Sequence, residues 1–200
     1  MDHWRLFIGM LLPEATRAAI EPAAQALRSQ GLAVRWVRPE NWHITLHFLG
    51  NVDPAAFPAL DACFAEEVAG LTAPTLRCHA LGAFPNERKP RVLWAGVSGD
   101  KERLGLIHAA AVAAGRVVGV EPERRPYTPH VTLGYVRDQA GPAERAAGGA
   151  ALGRVGWTGD SPRPYPSVAL IRSTLTKAGS AYTPLRRIEL LPSSENNDSL

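Results

Sequence analysis

Hydrophobic and polar residues alternate over several short segments of the chain, a pattern typical of β-strands that bury one face. Alanine-rich segments separate them, and these begin at a proline or an N-cap residue and end near glycine, as helices do. The predicted strands cover residues 6–12, 34–37, 43–50, 75–82, 91–97, 130–136, 168–174 and 185–190. The predicted helices cover residues 14–29, 53–69 and 101–118, with a weakly patterned fourth at 141–153.

Each half of the chain contains a strand, a helix and a strand with a histidine near its start, which indicates a coarse internal duplication. The short connections favour antiparallel pairing. We therefore predict an α+β fold of two pseudo-symmetric lobes, each an antiparallel sheet with helices on the outside, facing a central groove. Residues 1–192 are predicted to form this single bilobal domain, and the polar residues 193–200 a disordered tail.

The pattern His-x-Thr-x occurs twice, at residues 43–46 and 130–133, both times within a predicted strand. Residues two apart on a strand point to the same side, so the histidine and threonine of each copy share one face. Two imidazoles facing one groove suit acid–base chemistry on a phosphate. The unperturbed histidine pKa of about 6.5 lets the neutral and protonated forms coexist near neutrality.

The same alternation predicts where the residues after each motif lie. His47 would share the groove face with His43 and Thr45, and Gly134 would lie on the motif face of its strand and leave space in the groove. His43 and His47 cannot ligate one metal ion, because four strand residues separate them by roughly 13 Å. No Cys, His or carboxylate cluster has metal-ligand spacing, so we expect no metal and no other cofactor.

The composition is that of an ordinary globular protein, with 46% hydrophobic and 20% charged residues. The net charge of +3 and the pI of about 9.1 mildly favour an anionic partner. Cys63 and Cys78 fall in a predicted helix and a predicted strand, which favours free thiols and a cytoplasmic location. The apolar residues 6–12 end at Pro13 without a cleavage pattern, so we interpret them as a strand, not a signal peptide. No apolar run is long enough to span a membrane.

The two motifs and their surroundings resemble the 2H phosphoesterase superfamily, and within it the RNA 2′,3′-cyclic phosphodiesterases, first described as 2′-5′ RNA ligases. The resemblance covers roughly residues 5–191. It is carried by the segments RLFIGMLLP, VRWVRPENWHITLHFLG, LGAFPNERKPRVLWAGV, RRPYTPHVTLGYVR and LIRSTLTKAGSAYTPLRRIEL. It implies metal-independent opening of a 2′,3′-cyclic phosphate at an RNA end to a 2′-phosphate, with 2′-5′ ligation as the reverse reaction.

The resemblance also implies roles for the motif residues. His43 would be the proton donor and His130 the proton acceptor, although the near-identical motifs alone leave these two roles interchangeable. Thr45 and Thr132 would donate hydroxyl hydrogen bonds to the non-bridging phosphate oxygens. Arg91 would contact phosphate or RNA.

One position departs from the family pattern. Members often carry an arginine two residues beyond the threonine-leucine pair of the second motif, where this chain has Tyr135. We expect Arg137 to substitute for it in binding the substrate.

Two alternatives to the RNA-end activity stay open. The first is an enzyme of the same superfamily that acts on small cyclic nucleotides or on an ADP-ribose cyclic phosphate. The second is a non-catalytic RNA-binding module, which the two intact motifs disfavour. We expect the protein to act as a monomer.

Overall fold

Nine β-strands and four α-helices make up the computed structural model, which describes residues 3–176 and 179–193. The strands are β1 (Trp4–Leu11), β2 (Val34–Trp36), β3 (His43–Val52), β4 (Thr75–Phe84), β5 (Val92–Gly99), β6 (His130–Val136), β7 (Arg163–Pro164), β8 (Ser167–Thr176) and β9 (Gly179–Glu189). The helices are α1 (Glu14–Arg28), α2 (Phe57–Val68), α3 (Lys101–Val117) and α4 (Pro142–Arg154). Short 3₁₀ turns at Pro39–Asn41 and Pro54–Ala56 precede β3 and α2.

The two motif strands, β3 and β6, are neighbours in the middle of the sheet. The strand order is β7-β4-β5-β6-β3-β1-β8-β9, with β2 paired to β6, and the neighbouring strands run antiparallel. Four strands of this order lie on each side of the β3–β6 junction. The α+β class with antiparallel strands is confirmed, whereas the division into two lobes stays a prediction.

The helices follow from local sequence signals. In α1, acidic Glu14 lies in the first turn and basic Arg28 in the last, which complements the helix dipole. Its residues Ile20, Ala24 and Leu27 have spacings of four and three and are fully buried. The N-cap of α3 is Asp100, whose side chain accepts a hydrogen bond of 3.0 Å from the backbone N–H of Arg103.

Most predicted elements are confirmed, including the weakly patterned fourth helix, which is α4. The two-residue strand β7 was not predicted, since only its pairing to β4 identifies it. Both cysteines are free, as expected. The predicted tail lies outside the described residues except for Ser193. None of the helices in the described part of the chain is long and apolar enough to cross a membrane.

Candidate active site

The motif strands meet at one pair of residues, Ile44 opposite Val131, and both side chains are fully buried. Alternation along the strands therefore places the residues on either side of this pair on the opposite face. Extending this antiparallel register by one residue in each direction sets His43 opposite Thr132 and Thr45 opposite His130. Each histidine thus lies across from the threonine of the other motif, and the structure brings the four motif residues together.

A β-bulge follows Thr45 in the first motif. Thr45 and His47 pair with consecutive residues of β1, which makes Leu46 the extra residue, and a bulge reverses the faces beyond it. His47 is therefore 5% exposed and packs on Gly115 of α3, where an added Cβ would lie 2.5 Å from its ring. The bulge turns His47 away from the face of His43 and Thr45, where unbroken alternation had predicted it, although His47 still borders the cavity that opens beside Thr45. Phe48 takes that face instead and is 56% exposed.

The second motif has a bulge at the matching position. Thr132 and Gly134 pair with consecutive residues of β5, so Leu133 is the extra residue. Gly134 is buried, and a Cβ there would lie 2.5 Å from a side-chain carbon of Val34. The expectation that Gly134 leaves space in the groove was wrong for the same reason, and Tyr135 takes the groove face in its place.

Both catalytic candidates are held by a backbone carbonyl two residues before them. His43 Nδ1 lies 2.7 Å from the Asn41 carbonyl oxygen, and His130 Nδ1 lies 2.8 Å from that of Thr128. A carbonyl only accepts, so Nδ1–H donates in both rings and Nε2 carries the lone pair when the ring is neutral. His43 Nε2 lies 3.1 Å from Thr45 Oγ1. Each imidazole is thereby preset for proton transfer at Nε2.

Burial makes both imidazoles less basic. The pKa of His43 is lowered to about 4, mainly by burial. The hydrogen bond to Asn41 raises this pKa, and the charge of His130 lowers it. Burial also lowers the pKa of His130, against the hydrogen bond to Thr128. Both rings are therefore mainly neutral at pH 7 in the protein alone. A phosphate anion beside them would favour their protonated forms.

Aromatic rings contact each histidine in a similar way. The ring centroid of His43 lies 4.7 Å from that of Phe7 and 5.3 Å from that of Tyr182. The ring of His130 lies 4.9 Å from Phe84. Its distance to Trp94, on the neighbouring strand β5, is 6.4 Å. These contacts hold the two imidazoles in place and account for their burial. Sequence reasoning missed Phe7, Phe84 and Tyr182. Phe7 lies within a predicted strand, and Phe84 and Tyr182 lie two and three residues outside one, so their only signal was an aromatic residue near a strand.

A cavity of about 760 Å³ opens beside His130 and Thr45. Its aromatic and basic lining includes Phe48, Phe84, Tyr127, Lys89 and Arg91. We call it the nucleoside cavity, since its size and aromatic walls suit a base and a ribose. Arg91, a predicted site residue, is exposed at its border. Arg137 does not line it and lies in a neighbouring groove of about 930 Å³.

Within residues 3–176 and 179–193, no group of three or more His, Cys, Asp or Glu side chains is arranged to hold a metal ion. The four motif side chains offer two imidazoles for proton transfer and two hydroxyls for hydrogen bonding.

Comparison with known proteins identifies the family of the chain. Residues 11–94 match the family model described as LigT like phosphoesterase. The chain is 30% identical over 186 residues to the RNA 2′,3′-cyclic phosphodiesterase of Methanothermobacter thermautotrophicus, covering 93% of this chain and 98% of the relative. It is 33% identical over 195 residues to the RNA 2′,3′-cyclic phosphodiesterase of Thermus thermophilus, covering 93% of this chain and 90% of the relative.

The fold has matches among solved structures. A crystal structure of a Thermus thermophilus protein superimposes with a TM-score of 0.75 at 29% identity, covering 93% of this chain and 97% of that one. The apo form of Escherichia coli LigT matches in fold with a TM-score of 0.71 at 23% identity, covering 96% and 99%. On its sequence relatives and its fold, the chain belongs to the LigT-like phosphoesterases of the 2H superfamily.

Proposed function

We propose that this protein hydrolyses 2′,3′-cyclic phosphates at RNA ends to 2′-phosphates without a metal ion. The observation that carries the proposal is the cross-strand set of two histidines and two threonines, in which both imidazoles are preset for proton transfer at Nε2. The relatives named RNA 2′,3′-cyclic phosphodiesterase support the substrate class.

In the proposed mechanism, His130 Nε2 accepts a proton from water as the water oxygen attacks phosphorus. The bond between phosphorus and the 3′ oxygen breaks, and His43 Nε2–H gives its proton to that oxygen, which leaves a 2′-phosphate. Thr45 and Thr132 donate hydrogen bonds to the non-bridging oxygens, where negative charge accumulates. If a 5′-hydroxyl attacked the 2′,3′-cyclic phosphate in place of water, the same ring opening would yield a 2′-5′ linkage.

The direction of proton transfer rests on family resemblance. His43 must be protonated to act as the acid, yet its pKa is lowered to about 4 in the protein alone. The bound cyclic phosphate carries a negative charge, and an anion next to an imidazolium stabilises the protonated form. Substrate binding therefore supplies the condition that the donor role of His43 requires.

Arg91 and the nucleoside cavity would hold the end of the substrate. Arg91 lies between this cavity and the neighbouring groove, where its charge can reach a phosphate. Phe48 and Phe84 offer rings on which a base can stack. Escherichia coli LigT, which shares the fold, has been crystallised in complex with 3′-AMP.

The decisive experiment is incubation with an oligonucleotide ending in a 2′,3′-cyclic phosphate in the presence of EDTA, with the phosphate position of the product identified. We expect a 2′-phosphate and full activity in EDTA. His43→Ala and His130→Ala should each lower kcat about 10²- to 10⁴-fold. The double variant should lower kcat by less than the product of the two single losses, because the histidines act as a unit. Activity restored only by a divalent ion would contradict the mechanism.

The second candidate function is hydrolysis of small cyclic nucleotides or of an ADP-ribose cyclic phosphate. The volume of the nucleoside cavity, about 760 Å³, favours it, since this space suits one small ligand. A panel of free cyclic nucleotides and cyclic-phosphate-ended oligonucleotides separates the two functions by kcat/KM. The single domain at residues 1–192, the cytoplasmic location and the monomeric state stay predictions.

A further inference from the structure

A strongly basic groove of about 930 Å³ lies beside the active site, next to β5, β6 and the loop before β5. Among the described residues that line it, six are basic and one, Asp138, is acidic. The basic residues of this groove, called the basic groove from here on, are Arg35, Arg88, Lys89, Arg91, Arg137 and Arg145. The whole chain carries a net charge of only +3, so positive charge is concentrated at this surface.

Arg145 differs from the other basic residues because its guanidinium is already engaged. It donates hydrogen bonds to the carbonyl oxygens of Arg137, Asp138 and Ala140, at 3.3, 3.0 and 3.0 Å. Arg145 therefore fixes the turn after β6, which carries Arg137.

Most of the other groove cations are exposed. In the part of the chain that the structure describes, Arg88, Lys89, Arg91 and Arg137 form no ion pair with a carboxylate. The Asn86 side chain accepts hydrogen bonds from the backbone N–H groups of Arg88 and Lys89, at 3.1 and 3.0 Å, which fixes the loop that presents them. Neighbouring cations repel one another, and a polyanion bound along them would relieve that repulsion.

Arg35 and Tyr135 add a flat surface to the groove. They are cross-strand partners in β2 and β6, and the Arg35 guanidinium carbon lies 5.0 Å from the centre of the tyrosine ring. The bulge at Leu133 turns Tyr135 to the groove face. An aromatic ring beside an arginine is a surface on which an unpaired base stacks while a phosphate binds the cation.

The basic groove is continuous with the active site. Lys89, Arg91 and Val92 line both the groove and the nucleoside cavity beside His130. The groove therefore joins the active site through the nucleoside cavity, on the His130 side.

Given the proposed function, on which this inference rests, we propose that the basic groove binds the single-stranded RNA segment immediately 5′ of the cyclic phosphate. The cyclic phosphate sits on the 3′-terminal ribose, so the remaining nucleotides can leave the site only in the 5′ direction. The exposed cations would bind their phosphates, and Tyr135 would stack one of their bases. Oligonucleotides would then be better substrates than cyclic mononucleotides.

The test compares two substrates that share a terminal nucleoside, a 2′,3′-cyclic mononucleotide and a single-stranded oligonucleotide with a 2′,3′-cyclic phosphate end. The variant is Arg35→Ala combined with Arg88→Ala. We expect kcat/KM for the oligonucleotide to fall about 10-fold or more and its dependence on salt to weaken, because phosphate contacts are lost. Turnover of the mononucleotide should not change. Lys101→Ala, which removes an exposed cation at the start of α3 outside the groove, should alter neither substrate.

Equal losses on both substrates, or no loss on either, would overturn the proposal. A binding measurement separates this outcome from failure of the proposed function. Fluorescence anisotropy of a labelled oligonucleotide with the same end, in the His43→Ala background, reports groove binding without turnover. Even if no cyclic phosphate is hydrolysed, weaker oligonucleotide binding after the two arginine substitutions would support RNA binding in the basic groove. Binding that is unchanged by the substitutions, or absent from the start, would overturn the proposal.

Discussion

The Tyr127 hydroxyl donates a hydrogen bond of 3.0 Å to the carbonyl oxygen of Thr45. Tyr127 lies three residues before His130, so this bond joins the segment that leads into the second motif to the backbone of the first. Its ring stacks on His108 of α3, with the centroids 4.0 Å apart. Burial raises the pKa of the Tyr127 hydroxyl, which therefore stays protonated as a donor. We therefore expect Tyr127 to act as a positioning residue for the two motifs.

Tyr127→Phe should lower kcat about 3- to 10-fold and leave KM nearly unchanged. The substitution removes one hydrogen bond, worth about 0.5–1.5 kcal/mol, that sets the position of Thr45 relative to His130. Steady-state kinetics on a cyclic-phosphate substrate give the two constants. Tyr165→Phe is the matched control, because its buried hydroxyl hydrogen-bonds Thr16 at 3.4 Å and takes no part in the site. Equal effects of the two variants on kcat would contradict a positioning role.

Thr45→Val and Thr132→Val should each lower kcat/KM about 10- to 100-fold, less than loss of either histidine, because one phosphate hydrogen bond is lost while proton transfer remains. Thr45→Ser and Thr132→Ser keep the hydroxyl and should retain most activity. Thr45 Oγ1 also lies 3.1 Å from His43 Nε2. If Thr45→Val proved as damaging as His43→Ala, the hydroxyl would instead orient the imidazole.

The pH profile of kcat/KM should be a bell whose maximum lies below about pH 6.5. One histidine must be neutral and the other protonated, so activity falls at low pH as the base gains a proton and at high pH as the acid loses one. The maximum lies midway between the two apparent pKa values, and burial lowers the pKa of both His43 and His130 from 6.5. A maximum clearly above pH 7, measured where the chemical step is rate-limiting, would show that the pKa values of the two histidines are not lowered in the free enzyme.

A substrate whose leaving oxygen needs no proton, such as one with an activated aryl leaving group, should partly rescue His43→Ala. His130→Ala should not be rescued, because water would still lack its base. Turnover of both variants on the activated and the natural substrate provides the comparison. Rescue of His130→Ala alone would reverse the donor and acceptor roles and leave the reaction class unchanged.

Gly115→Ala should destabilise the protein by about 1–3 kcal/mol, because the added Cβ would lie 2.5 Å from the ring of His47 in a packed interior. Gly105→Ala on the same helix is the control. It meets no atom within 4 Å and should stabilise by about 0.5–1 kcal/mol. Denaturant unfolding measures both. His47→Ala in the Gly115→Ala background should recover part of the loss, and no recovery would contradict the contact.

The sequence by itself determined most of the elements and the choice of candidate catalytic residues. Alternation at residues 43–50 and 130–136 identified the motif strands, and the caps and prolines identified the helices. Both signals are local, since they depend on residues a few positions apart. The repeated His-x-Thr-x pattern was enough to choose His43, Thr45, His130 and Thr132, because each histidine and its threonine share a strand face without reference to any partner.

Only the tertiary structure decided which residues surround this set. The bulges at Leu46 and Leu133 exist only in relation to β1 and β5, and they reverse the faces of His47 and Gly134 that alternation had predicted. Likewise Tyr127, 82 residues from Thr45, reaches it only because β3 and β6 are neighbours. Strand pairing joins residues that are far apart in the chain. The strand register, the bulges and the basic groove therefore depend on residues that a local sequence pattern cannot identify.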